Sequence, residues 1–223
     1  MEEAYERGHG VQADVSCYNA VLNAFGWADD YHAKAEKCDQ ILKHMINLYE
    51  SGKNVDAKPD LITCNSVLNA VAFATDAAGS TENEELMEIA VKTADRFLTG
   101  DFGKVNHVTF VNLLIAIARH MPRGHRRTAL ATTAFWQCCQ TGNLAVPVVT
   151  ALYKCLDWDD FKDHMGPALL SEQDEKLRFD LSRLPDSWTK GAPKPSEHRV
   201  SRPSRKSSNF QKTRRVTLRS PRK

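Results

Sequence analysis

The sequence predicts an all-α fold of helical hairpins stacked in series, and three features carry that prediction. The stretch Cys17 to Ala24, "CYNAVLNA", is nearly repeated by Thr63 to Ala70, "TCNSVLNA". Aligning Asn19 with Asn65, Val21 with Val67 and Leu22 with Leu68 fixes a 46-residue register. A further step of the same length pairs Asp60 with Asn106, Thr63 with Thr109 and Leu68 with Leu114. Within a copy, apolar residues 18, 21, 22 and 25 follow the i, i+3, i+4, i+7 spacing of a helix, and the alternation of a strand does not fit. Each copy is also followed by a second amphipathic stretch ending in glycine. A helix pair buries its apolar face only against a neighbouring pair, so such units form an α-solenoid.

Taken in order, "MEEAYERG" matches "MINLYESG" further on, so residues 1–14 read as the end of a truncated preceding repeat. The units 15–60 and 61–106, and the unit after them, each follow an acidic or amide residue that precedes an apolar run, a helix-start signal at Asp14, Asp60 and Asn106. Their second helices are expected in "YHAKAEKCDQILKHMINLYESG" and "ENEELMEIAVKTADRFLTG". A degenerate unit, 107–142, ends in "RRTALATTAFWQCCQTG". Residues 143–189 are expected to form a helical C-terminal cap, with one helix entered at Pro147 and a short acidic one in "DWDDFKDHMG". Ser, Pro, Lys and Arg dominate residues 190–223, which predicts a disordered basic tail.

Charge divides the chain in two. Lys190 to Lys223 carries twelve Lys/Arg against Glu197 alone, net +11, which leaves 18 Lys/Arg and 27 Asp/Glu, net −9, on residues 1–189. The most apolar run, "FVNLLIAIA", is too short to cross a bilayer, and the acidic start "MEEAYERGHG" is neither a secretory signal nor a transit peptide. Six cysteines lack CxxC spacing, and several fall at helical intervals among apolar residues, which predicts buried free thiols. Asp157, Asp159, Asp160 and Asp163 are the densest carboxylate cluster but lack the ligand order of a calcium loop. Histidines without zinc spacing and the absence of a Gly-rich phosphate loop point away from catalysis, a cofactor and a bound metal.

With the helices placed, "KPDLITCNSVLNA", "ADVSCYNAVLNA" and "VNHVTFVNLLIA" resemble the repeat boundary of pentatricopeptide repeat (PPR) proteins. The long spacing is similar to the lengthened repeats of some algal members. The resemblance implies a right-handed α-solenoid that binds single-stranded RNA, one base per repeat. By position, it implies reading pairs at Asn19 with Asp60, similar to pairs preferring uracil, and Asn65 with Asn106, similar to pyrimidine readers leaning to cytosine. Base-stacking positions are implied at Ile62 and Val108, with Ser16 a weak equivalent, and Val111 in the third unit has no reading side chain. A mitochondrial or plastid address is implied, although no targeting segment is visible, and nucleus and cytoplasm stay open.

On chemistry alone, two readings of Asn19 and Asn65 stand. An amide offers donor and acceptor to a pyrimidine edge, and it can equally satisfy backbone groups between helices. Arg119, Arg123, Arg126 and Arg127 crowd one loop and are candidate phosphate contacts, or else a solvated corner. The basic tail fits a nucleic-acid backbone, an import signal or a solubilising segment. The expected function is non-catalytic binding of pyrimidine-leaning single-stranded RNA in processing, stability or translation. The alternative is a scaffold for a protein partner on the same solenoid.

Overall fold

The computed structural model describes residues 12–26, 33–74, 83–100, 102–173, 176–192 and 215–219, and it is mostly helical. Three helices begin at 46-residue intervals: α1 (Val15–Gly26), α3 (Leu61–Ala72) and α5 (His107–His120). Between and after them lie α2 (Ala33–Glu50), α4 (Glu84–Leu98) and α6 (His125–Gln140). A seventh helix, α7 (Val146–Cys155), takes the next place in the odd-numbered row. Within that row α1 packs on α3, α3 on α5 and α5 on α7, while α2, α4 and α6 each pack on the helix preceding them.

Local signals explain these boundaries. Asp60 and Asn106 are N-caps in extended conformation, and each forms a capping box with the threonine three residues on. The Asp60 carboxylate accepts from the Thr63 backbone N–H at 2.9 Å, and Thr63 Oγ1 accepts from the Asp60 N–H at 3.1 Å. Asp14 accepts from the Cys17 N–H at 2.9 Å, a bond that holds its carboxyl below the usual range. At the other ends, Gly52 (φ 71°) and Gly142 (φ 75°) adopt the left-handed turn that stops α2 and α6.

The core draws on both sets of helices. Leu22, Met45, Leu68, Leu86, Phe97, Leu114, Ile117 and Phe135 are among its wholly buried side chains, each contributing roughly 1.5–3 kcal/mol of transfer free energy. Five cysteines are buried as free thiols, and Cys17 is half-buried. Burial pushes the thiol of Cys38 up to about 11 and those of Cys64, Cys139 and Cys155 up to about 12.

Two asparagines close hairpins at their open ends. Asn54, just past α2, donates its amide to the Ala13 carbonyl, just before α1, at 2.7 Å. Asn143, just past α6, donates in the same way to the Val105 carbonyl, just before α5, at 3.3 Å.

The C-terminal region corrects two expectations. Residues 143–189 are not a helical cap throughout. After α8 (Trp158–Met165), a 3-10 turn (Gly166–Ala168) leads into β1 (Leu169–Gln173) and β2 (Lys176–Asp180), which pair antiparallel. The cause is the alternation in Lys176-Leu177-Arg178-Phe179-Asp180, which suits a half-buried strand. Phe179 is fully buried, its ring 5.6 Å from that of Phe161 on α8. The tail is also not wholly irregular: Arg215–Arg219 forms β3 on the other edge of β2, Lys176 opposite Arg219 and Asp180 opposite Arg215. The rest of the tail, 193–214 and 220–223, and the predicted repeat remnant up to residue 11 lie outside the described residues.

A last short helix, α9 (Asp186–Thr189), seats Trp188 edge-on to Phe135 and Trp136 at 5.9 and 5.4 Å. Its backbone also accepts from Leu144 N–H, through the Trp188 carbonyl, at 2.8 Å. No helix among the described residues is long and apolar enough to cross a membrane.

Candidate functional site

The N-cap of one odd-numbered helix meets the first turns of the helix before it, and this is where the paired positions converge. Asn19 on α1 donates its amide to the Asp60 carboxylate at the start of α3, 3.1 Å away. Its oxygen accepts from the Thr63 hydroxyl at 2.8 Å. One step along, Asn65 on α3 donates to Asn106 Oδ1 at the start of α5, at 3.4 Å, and accepts from the Thr109 hydroxyl at 2.8 Å. Asn112 donates its amide to the Asn65 carbonyl at 3.2 Å. Asn19 is 8% exposed, whereas Asp60, Asn65 and Asn106 are half-buried.

Amide orientation in these networks follows from acceptor chemistry. Asn106 Oδ1 receives the backbone N–H groups of Val108 and Thr109 at 3.0 and 3.2 Å, so its NH2 group must point away from the helix. Asn65, facing that oxygen, must present nitrogen to it. Asn19 faces a carboxylate oxygen and is fixed in the same sense. Among the described residues, nothing takes the second N–H of Asn19, the second Asp60 oxygen, the second N–H of Asn65 or the Asn106 amide nitrogen.

Ile62 and Val108, one residue into α3 and α5, are 60% and 37% exposed. At the third step the polar set is gone: Val111 occupies the place of Asn65, and Ala145, the N-cap of α7, makes no side-chain cap.

The four loop arginines do not form one cationic patch. Arg127, expected as a phosphate contact, is 7% exposed and donates to the carbonyls of Met121 and Lys154, at the C-terminal ends of α5 and α7. It sits in the first turn of α6, on the side facing those helix ends, which removes it from any surface site. Arg123 donates to Asp157 at 2.6 Å and Arg126 to Glu84 at 3.1 Å, both pairs exposed. Arg119 lies over the exposed ring of Phe73, 5.7 Å from its centre.

The acidic cluster is spread among other tasks: Asp157 pairs with Arg123, and Asp160 accepts from the Thr128 hydroxyl at 3.5 Å. Among the described residues no group of three His, Cys, Asp or Glu is placed to hold a metal ion. Thr63 and Thr109 carry roles that sequence reasoning aligned but did not assign. Their signal is Asp/Asn-x-x-Thr at the starts of α3 and α5, 46 residues apart in the register of the asparagines.

Comparison with protein-family models, with curated proteins and with solved structures returns no match.

Proposed function

We propose that the chain is a PPR-type right-handed α-solenoid that binds single-stranded, pyrimidine-leaning RNA without catalysis. The reading is carried by one observation: the same Asn, Asp/Asn and Thr set closes at successive helix starts, 46 residues apart. Repetition of a polar network between stacked units is what a one-base-per-unit reader requires.

The uncommitted groups give each pair a chemical preference. Asn19 with Asp60 offers one N–H donor beside one carboxylate acceptor. Uracil complements that with a carbonyl acceptor beside its N3–H donor. Asn65 with Asn106 offers N–H donors on two amides and no acceptor, which matches the adjacent N3 and O2 acceptors of cytosine. Ile62 and Val108 supply exposed apolar plates next to these groups for the faces of the bases. Asn19 is the weaker reader on exposure, since only 8% of its surface is accessible. Phosphates would meet Arg119 and the basic tail rather than Arg127. The family resemblance extends this reading to RNA processing, stability or translation in a mitochondrion or plastid.

A protein-binding scaffold is the second reading, favoured by the net charge of −9 on residues 1–189 and by the pairing of Arg123 and Arg126 with carboxylates. Fluorescence anisotropy with U-rich, C-rich and A-rich single strands separates the two. RNA reading requires pyrimidine preference that falls when Asn19→Ala and Asn65→Ala are combined. Binding that ignores base identity and vanishes on deleting residues 190–223 would reduce the interaction to tail charge and leave the scaffold.

A further inference from the structure

We propose that Thr63 and Thr109 are positioning residues: each sets which edge of the preceding unit's amide faces outward, so a reading pair is completed by the hairpin that follows it. The inference rests on the RNA-reading proposal above and deepens it. Thr63 Oγ1 accepts the Asp60 N–H at 3.1 Å, and a hydroxyl has a single hydrogen to give. The shortest acceptor for it is Asn19 Oδ1 at 2.8 Å, with Asp60 Oδ1 at 3.0 Å the alternative. Asn19 is thereby gripped on both sides, its oxygen by Thr63 and one N–H by Asp60. Turning the amide over would set its oxygen 3.1 Å from a carboxylate oxygen, acceptor against acceptor.

The second set repeats this atom for atom. Thr109 Oγ1 accepts the Asn106 N–H at 3.3 Å and donates to Asn65 Oδ1 at 2.8 Å, while Asn65 Nδ2 faces Asn106 Oδ1. Both threonines are nearly inaccessible, at 0% and 1% of their surface, so neither hydroxyl is there for solvation. Where the reading asparagine is absent, the rest of the set is absent too: Val111, the N-cap Ala145 and Val148 replace amide, cap and hydroxyl together. A helix cap alone would not require that loss to be joint. Removing only the hydroxyl leaves a buried amide oxygen without a donor, which favours rotation of the asparagine towards water and away from its partner.

The test uses Thr63→Val and Thr109→Val, which keep side-chain shape, and Thr63→Ser and Thr109→Ser, which keep the hydroxyl. Oligo-U and oligo-C affinities of the full chain are measured for each. T63V should lose about 2- to 10-fold on oligo-U, the worth of one hydrogen bond, and little on oligo-C. T109V should show the crosswise pattern, and both serine variants should keep wild-type affinities. A purely structural role would weaken both ligands together with thermal stability, and that result overturns the proposal. The Asn19 and Asn65 side-chain amide signals, followed by 15N NMR without RNA, supply a readout independent of binding. Each should shift in its own valine variant alone, and unchanged signals refute the positioning role. Absence of any pyrimidine preference in the wild-type chain would refute RNA reading, while the NMR result still decides whether the threonines hold the amides.

Discussion

Removing the guanidinium of Arg127 tests how the fold is held near its C-terminal end. The side chain spans two helix ends, donating to the Met121 carbonyl at 3.2 Å and to the Lys154 carbonyl. Cations are favoured at such ends because the last carbonyls of a helix lack intrahelical partners. Burial lowers the proton affinity of the group, and its Nε has no hydrogen-bond partner, so part of the gain is given back. Two charge-assisted bonds are worth roughly 3–6 kcal/mol gross. Relief of the buried charge leaves a net cost near ~3 kcal/mol for Arg127→Ala. For a chain of this size that is a fall in Tm of about 6–12 °C, read by circular dichroism at the helical signal. Arg123→Ala, four residues earlier in the loop before α6, removes an exposed ion pair with Asp157 and should cost less than ~1 kcal/mol. Arg127→Met keeps most of the packing and separates volume from charge. A change under about 2 °C for Arg127→Ala would refute the reasoning. So would selective loss of RNA affinity in a variant that stays folded, because that would return Arg127 to a phosphate site.

Three other outcomes follow from the geometry. Asp60→Asn makes the first pair a copy of the second while keeping a cap, so affinity should shift from oligo-U towards oligo-C, measured by anisotropy. Five thiols are buried, and raised folded-state values of about 11 to 12 for Cys38, Cys64, Cys139 and Cys155 mean that unfolded chains lose protons first as pH rises from 9.0. Stability from these thiols is complete below about pH 9 and lost between there and about pH 12, so denaturant midpoints should fall across that window and native-state labelling should favour Cys17. Gly142→Ala adds strain at φ +75° and a methyl 2.7 Å from Lys190 Cγ and 3.0 Å from the Ser187 carbonyl, which should loosen α9 and raise Trp188 exposure, followed by tryptophan fluorescence.

Helix starts were the most legible part of the sequence because Asp14, Asp60 and Asn106 act locally, on N–H groups within three residues. The register singles out Asn19 and Asn65, and the structure joins each to the N-cap of the next odd-numbered helix, with one helix between them in sequence. A basic loop gives no sign of which arginine turns inward, and only the ends of α5 and α7 draw Arg127 there. The β1–β2 hairpin is hard to see in the sequence although Lys176 to Asp180 alternates; five residues make a weak pattern, and the deciding contact, Phe179 on Phe161, is tertiary. Asn54 and Asn143 lie two residues and one residue after their glycines, which hides their equivalence in any fixed alignment.

Those last two amides have a mechanical consequence. The first and third hairpins are each clasped at the mouth, Asn54 to Ala13 and Asn143 to Val105. Both donors are buried, and opening either mouth would leave a buried amide without its acceptor.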